Sequence, residues 1–249
     1  MSNKISLQLF TLREELNEDF IGTLKKVAEM GYQGVEFGGY TGGYTGTELK
    51  NLLENVGLKA SGTHVGLDVI KNNIEETIDF NLQLGSSYII LPWTCYTLKK
   101  EYLELAEICN IAGEKCKNKG IQFCYHNHHR EFIKLNGKNA LDILFDHCDP
   151  EFVKAEMDVY WVKYAGIDPV EYIKKYKNRC PLIHLKDMED NEDGDFAEVG
   201  TGILDIRGIA AAAKEIEVEW LVVEQDRCKR PAIESVEISA NNLKKMNLL

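Results

Sequence analysis

The sequence predicts an α/β fold, a single (β/α)₈ TIM barrel, on three observations. Short β-rich apolar runs alternate with longer helical patterns from end to end, and eight such pairs can be drawn. No Gly-rich phosphate turn follows the first strand, which runs straight into TLREEL; an open doubly wound sheet usually announces itself with one. A chain of 249 residues is what one such barrel commonly occupies, so one domain over 1–249 is expected.

The strands are drawn at 5–10, 34–38, 59–65, 88–93, 121–128, 153–158, 182–187 and 220–226. Between the first two, Phe20, Leu24, Val27 and Ala28 recur at helical spacing before Gly31; Ile74, Ile78 and Leu82 do the same before Gly85. Glycine ends a helix because it takes the left-handed conformation that closes the last turn. The segment from Lys99 to Lys119 stops at Gly120, and Asp168 before Pro169, like Asp205, is of the residue type that caps a helix start. The Gly-rich stretch 38–46 reads as a mobile loop after the second strand. GTG at 200–202 is a weak candidate for an anion site at a helix N-terminus.

With 44% hydrophobic and 28% charged residues, the chain can bury a large core and falls outside the disordered classes. No apolar run approaches the roughly 18–20 residues of a membrane span, and the start lacks a signal peptide's long apolar region, so a cytoplasmic protein is expected. Seven scattered cysteines without a C-x-x-C pair suggest neither a disulfide framework nor a zinc knuckle. A formal charge of -11 opposes phosphate backbones and anionic lipid, so nucleic-acid and membrane partners are not expected. A homo-oligomer is compatible with the sequence.

In a barrel the chemistry sits where strands end at their C-terminal side. There the sequence places Glu36, His64, Trp93, His126, His128, Glu156, Asp158, His184, Lys186, Asp187, Glu224, Gln225 and Asp226, with His129 and Glu131 in the loop after strand five. Side chains alternate with period two, so His126 and His128 share a face, as do His184 and Lys186, and Glu224 and Asp226. Gathering carboxylates in a partly buried mouth costs several kcal/mol unless cations neutralise them. A divalent metal is the expected neutraliser, and a mixed Glu, Asp and His set suits Mn²⁺, Co²⁺, Mg²⁺ or Zn²⁺. Each residue alone has an ordinary reading: His184 as a core histidine, Asp158 as a loop opener, Glu224 as a partner of Lys186. Their coincidence at successive strand ends carries the inference.

The stretches FCYHNHHREF (123–132), EMDVYWVKYAGIDP (156–169), IHLKD (183–187), EVGTGILD (198–205) and VVEQD (222–226) resemble the xylose-isomerase-like barrels of the sugar phosphate isomerase/epimerase family. The HNH variant resembles a subgroup with inosose-dehydratase-like and 3-keto-glycoside lyase-like proteins. The resemblance implies one divalent ion held by Glu, Asp, His and Glu after strands five to eight. The last three fall on Asp158, His184 and Glu224. His126 occupies the usual strand-five glutamate position, so Glu131 is the preferred substitute and His126 the runner-up ligand.

The implied chemistry is isomerisation or epimerisation of a small sugar or keto-sugar through an enediolate, with a lyase or dehydratase acting on a keto-sugar, keto-glycoside or inosose close behind. His128, Glu224 and Lys186 are the candidate acid/base groups. Glu36, His64, His126, Trp93 and Trp161 are candidates for binding a small carbohydrate, with Tyr40 a further stacking candidate. Trp161 stands where many relatives carry a substrate-binding histidine. A DNA-repair endonuclease shares the fold, but the net charge opposes it and it needs a larger ligand cluster. A metal-free carbohydrate-binding barrel is the non-enzyme alternative.

Overall fold

The structure, a computed structural model, describes residues 3–249. Eight parallel strands, β1 (Lys4–Gln8), β2 (Gly34–Phe37), β3 (Lys59–His64), β4 (Tyr88–Leu91), β5 (Gln122–His126), β6 (Val153–Asp158), β7 (Leu182–Leu185) and β8 (Trp220–Val223), close into a barrel. Each pairs with its neighbours in sequence, and β1 closes the ring on β8, with Lys4 opposite Trp220 and Leu7 opposite Val223. All eight expected strands are present. Several stop short of the drawn ends, so Lys186, Glu224 and Asp226 lie just past the ladder, where the strands part at the mouth.

Eight principal helices, from Phe20–Glu29 after β1 to Ala232–Lys245 after β8, wrap the outside. Their boundaries follow the capping chemistry. Asp168 accepts from the Glu171 amide with Pro169 in the first turn, Asp205 accepts from the Gly208 amide, and Gly85 closes its helix at φ 78°. One expectation is corrected: Leu82 is exposed, and the buried stripe of that helix runs through Ile74, Ile78 and Asn81. Asn81 is tolerated inside because its amide bonds Thr63 Oγ1 and the Thr77 carbonyl. The GTG turn is also corrected as an anion site, because the amides of Gly200, Gly202 and Leu204 already donate to the Asp187 carboxylate.

Strand alternation splits the interior into two cores. Residues such as Ile5, Leu7, Val35, Ile89, Phe123 and Leu221 face the helices in the main apolar cluster. The opposite set, Tyr88, Ile90, Cys124, Leu182, Trp220 and Val222, forms a separate plug. Two residues further along the same faces, Cys124 gives way to His126, Leu182 to His184 and Val222 to Glu224. The lumen is thus apolar at one level and ionisable at the next. All seven cysteines are unpaired, and no helix among the described residues is long and apolar enough to cross a membrane.

Gly62 links the barrel wall to this polar layer. A Cβ there would lie 2.6 Å from Ile90 Cδ1 and 2.8 Å from Glu36 Oε2. Gly62→Ala is therefore expected to destabilise the protein by about 1–3 kcal/mol, the usual range for overpacking, through displacement of Glu36. Urea denaturation of the two proteins checks this, and equal midpoints contradict it.

Candidate functional site

Three imidazoles, five carboxylates and one ammonium meet above the apolar plug. His64, His126 and His184 face Glu36, Glu156, Asp158 and Glu224, and Lys186 bridges to Asp226. They come from the ends of six strands, β2, β3, β5, β6, β7 and β8, or their immediate continuations, so the closed barrel, and no local motif, brings them together.

His184 is the hub and is fully buried. Its Nδ1 lies 2.8 Å from Glu224 Oε2, while its Nε2 lies 2.8 Å from Glu36 Oε1 and 3.2 Å from Glu156 Oε2. His64 Nε2 reaches the same two carboxylates at 2.9 and 2.8 Å, and His126 Nδ1 is 3.1 Å from Glu156 Oε2. Gln8 Nε2 donates to Glu36 Oε1 at 2.7 Å. On the other side of His184, the buried Lys186 ammonium lies 2.6 Å from Glu224 Oε2, 2.9 Å from Asp158 Oδ2 and 3.0 Å from Asp226 Oδ1. Asp158 Oδ1 accepts from the Tyr160 and Trp161 amides and so caps the short helix Val159–Tyr164. Asn127 exchanges hydrogen bonds with the Asp158 backbone and fixes that corner.

The electrostatics follow from this packing. Burial alone would raise the Glu36 carboxyl, but His64 and His184 hold it well below the usual carboxylate range. Glu156 moves the other way, raised by burial and then by Glu36, because two adjacent buried carboxylates do not both ionise cheaply. Against its own burial, His64 is raised to about 9 by Glu36 and Glu156. Burial likewise opposes charge on His184 and Lys186, yet their carboxylate partners push both well above their ordinary values. His126 is driven well down, first by burial and then by His184.

The residues fit a divalent cation. Ligand atoms of His64, His126, Glu156 and His184 lie within 4.8 Å of one another, as do those of Asp158, His184 and Glu224. Among the described residues, Glu36 Oε2, His126 Nδ1, Glu156 Oε1 and Asp158 Oδ2 are buried without a well-directed hydrogen bond, although Glu156 Oε2 stands 3.1 Å from His126 Nδ1 and Lys186 near Asp158 Oδ2. Four such atoms in one place call for a further partner. Glu131 is not among them, and its expected role as a ligand is corrected. Its Oε1 accepts from the Thr94 amide and the Tyr125 hydroxyl, and its Oε2 from the His128 amide. Five residues past the end of β5, this carboxylate has folded back to cap the 3-10 turn His129–Phe132.

A cavity of about 680 Å³ opens over the cluster, lined by His64, His126, Glu224 and Asp226 below and by Trp93 and Trp161 at the rim. His128 is stacked between these two indoles, at 5.1 and 5.0 Å between ring centroids. Burial, then the Lys186 ammonium, push its imidazole down to about 2, so His128 stays neutral where titration near neutral pH was expected. Tyr40 packs edge-on against Phe20 and does not line the cavity. Three contributors escaped the ranking from sequence. Glu156 and Asp226 are legible only as strand-end carboxylates, Asp226 also by its shared face with Glu224, and Gln8 ends a strand with no other polar cue.

Asp226 gives a test of this charge balance. Burial raises its carboxyl to about 6; Lys186 opposes the rise, while Glu224 and Asp158 add to it. A carboxyl raised on folding favours the folded state fully below its unfolded value near 3.9 and loses that contribution as pH rises through 6. In chelator-treated protein, Asp226→Asn is therefore expected to melt higher than wild type at pH 7.5, with the gap closing towards pH 4. A lower melting point for the variant at pH 7.5 contradicts the assignment.

Comparison with known proteins agrees with this architecture. A family model described as xylose isomerase-like TIM barrel matches residues 24–246. An inosose dehydratase of Bacillus cereus (strain AH820) is 22% identical over 244 residues, 82% of this chain and 81% of that protein. One of Clostridium tetani is 26% identical over 146 residues, and there the match spans 48% of the relative's length. A crystal structure of a sugar phosphate isomerase/epimerase from Parabacteroides distasonis superposes with a TM-score of 0.85 over 98% of both chains at 28% identity. The IOLI protein with a bound zinc atom, 17% identical, shares the fold with a TM-score of 0.76 over 97% of each chain. With the match running through nearly all of the barrel, the chain belongs to the xylose isomerase-like TIM-barrel family.

Proposed function

We propose that this protein is a divalent-metal-dependent enzyme that takes a proton from the carbon beside a carbonyl of a small sugar or cyclic polyol ketone, with loss of a β-hydroxyl or glycosidic oxygen as the outcome. The observation that carries the metal-dependent reading is the set of buried, unpartnered carboxylate and imidazole atoms in the cluster under the cavity, which His126 lines. A divalent ion held among these residues would supply Lewis-acid chemistry that makes the C–H beside a substrate carbonyl more acidic. The likeness to inosose dehydratases over most of the chain supports elimination.

The chain's own residues take distinct parts in this reading. Glu224, ionised between His184 and Lys186, keeps the imidazole oriented and the ammonium charged. That revises its expected role as base, because a carboxylate so strongly held accepts a proton poorly. Asp226, near neutrality and on the cavity wall, is matched to accept the carbon-bound proton. Lys186, buried and held charged by Asp158, Glu224 and Asp226, keeps Asp226 in place, and the departing oxygen takes up the proton that Asp226 received. Trp93, His128 and Trp161 form a continuous stacked wall against which a sugar ring packs and water is excluded.

Isomerisation or epimerisation is the second reading, supported by the likeness to the Parabacteroides distasonis structure. It uses the same first proton transfer and differs in returning the proton to carbon.

Turnover of inososes, keto-sugars and keto-glycosides, followed by NMR in D₂O, separates the two. Elimination gives a dehydrated or cleaved product, and isomerisation gives deuterium-labelled isomer. Chelation is expected to abolish either activity while leaving the helical circular dichroism intact, because the barrel core is built of apolar residues and needs no metal. No turnover across the series with any divalent metal sinks the proposal. His128→Asn should raise KM about tenfold with kcat within a fewfold, as for a neutral wall residue. A kcat loss of roughly two to four orders of magnitude would return His128 to proton transfer.

A further inference from the structure

We propose that the cation sits on the inner side of His184, held by His64, His126, Glu156 and His184 with Glu36 beside them, and that the Lys186 ammonium takes a cation's place among Asp158, Glu224 and Asp226. This rests on the metal-dependent reading above. It departs from the ligand set that the resemblance implied, in which Asp158, His184 and Glu224 hold the ion.

Geometry favours the inner side. Three imidazole nitrogens converge on Glu156 Oε2, from His64 at 2.8 Å, His126 at 3.1 Å and His184 at 3.2 Å. Ligand bonds of about 2.1 Å set neighbouring ligand atoms about 3.0–3.4 Å apart, so this spacing is close to that of one coordination shell. Three of the four unpartnered buried atoms of the cluster, Glu36 Oε2, His126 Nδ1 and Glu156 Oε1, belong to this side.

The outer side is already satisfied. Glu224 Oε2 receives both His184 Nδ1 and the Lys186 ammonium, and Asp158 Oδ1 is taken by two backbone amides. Asp158 Oδ2 faces the ammonium at 2.9 Å. A divalent ion among these carboxylates would share them with a fixed positive charge. His184 has one nitrogen for each side. With Nε2 on the metal, its Nδ1–H donates to Glu224, the carboxylate support that metal-bound histidines usually have. Three imidazoles and one carboxylate select Zn²⁺, Co²⁺ or Mn²⁺ over Mg²⁺.

The test loads purified wild type and two single variants, Glu156→Gln and Asp158→Asn, with Zn²⁺ and measures bound metal after gel filtration, with circular dichroism to check folding. Glu156→Gln should weaken Zn²⁺ binding at least about 100-fold, while Asp158→Asn stays within about tenfold of wild type. The reverse pattern, or equal loss in both folded variants, overturns the inner assignment. X-ray absorption fine structure of zinc-loaded wild type gives an answer even if a variant misfolds: three imidazoles are expected, and one imidazole overturns the assignment in favour of the outer set. A folded wild type that binds no Zn²⁺, Co²⁺ or Mn²⁺ overturns this inference together with the metal-dependent reading.

Discussion

Everything at the mouth of this barrel depends on the charge balance around one buried imidazole. His184 touches Glu36, Glu156 and Glu224 at once, and none of the four is more than 7% exposed. Several carboxylates at this depth are tolerable only with cations supplied at contact distance, since desolvation costs several kcal/mol per ion. Lys186 supplies one on the outer side. On the inner side, where the chain offers imidazoles and unpartnered oxygens, the proposed divalent ion would supply the other.

The barrel makes this balance possible by separating tasks along each strand. Residues facing the helices are apolar apart from hydrogen-bonded exceptions such as Thr63 with Asn81, and carry the stability. Those facing the lumen change character within two positions, from Leu182 to His184 to Lys186 and from Val222 to Glu224 to Asp226. The plug below closes the floor, so the ionisable layer meets water only through the cavity above. Gly62, with no Cβ, leaves the space that the Glu36 carboxylate fills.

Much of this was legible in the sequence. Eight alternating units gave the barrel, glycine and aspartate placed helix ends, and period-two alternation placed His184, Lys186, Glu224 and Asp226 on shared faces. What stayed hidden depended on long-range closure or on local hydrogen bonding. Nothing in the order of residues says that Glu36 and His184, 148 positions apart, lie 2.8 Å from each other. Glu131 looked like a ligand by proximity to His128, yet the turn that follows β5 consumes its carboxylate in capping. Leu82 was assigned to a buried stripe that Asn81 occupies, because a polar residue with its own partners satisfies a core position without an apolar side chain.

Anomalous diffraction from crystals of zinc-loaded protein, collected at the zinc absorption edge, tests the claim about charge balance most directly. The account predicts one strong peak in the lumen within bonding distance, about 2.0–2.2 Å, of Glu156 and His184. A lumen without a peak, its carboxylates satisfied by protons and by Lys186 alone, would contradict it.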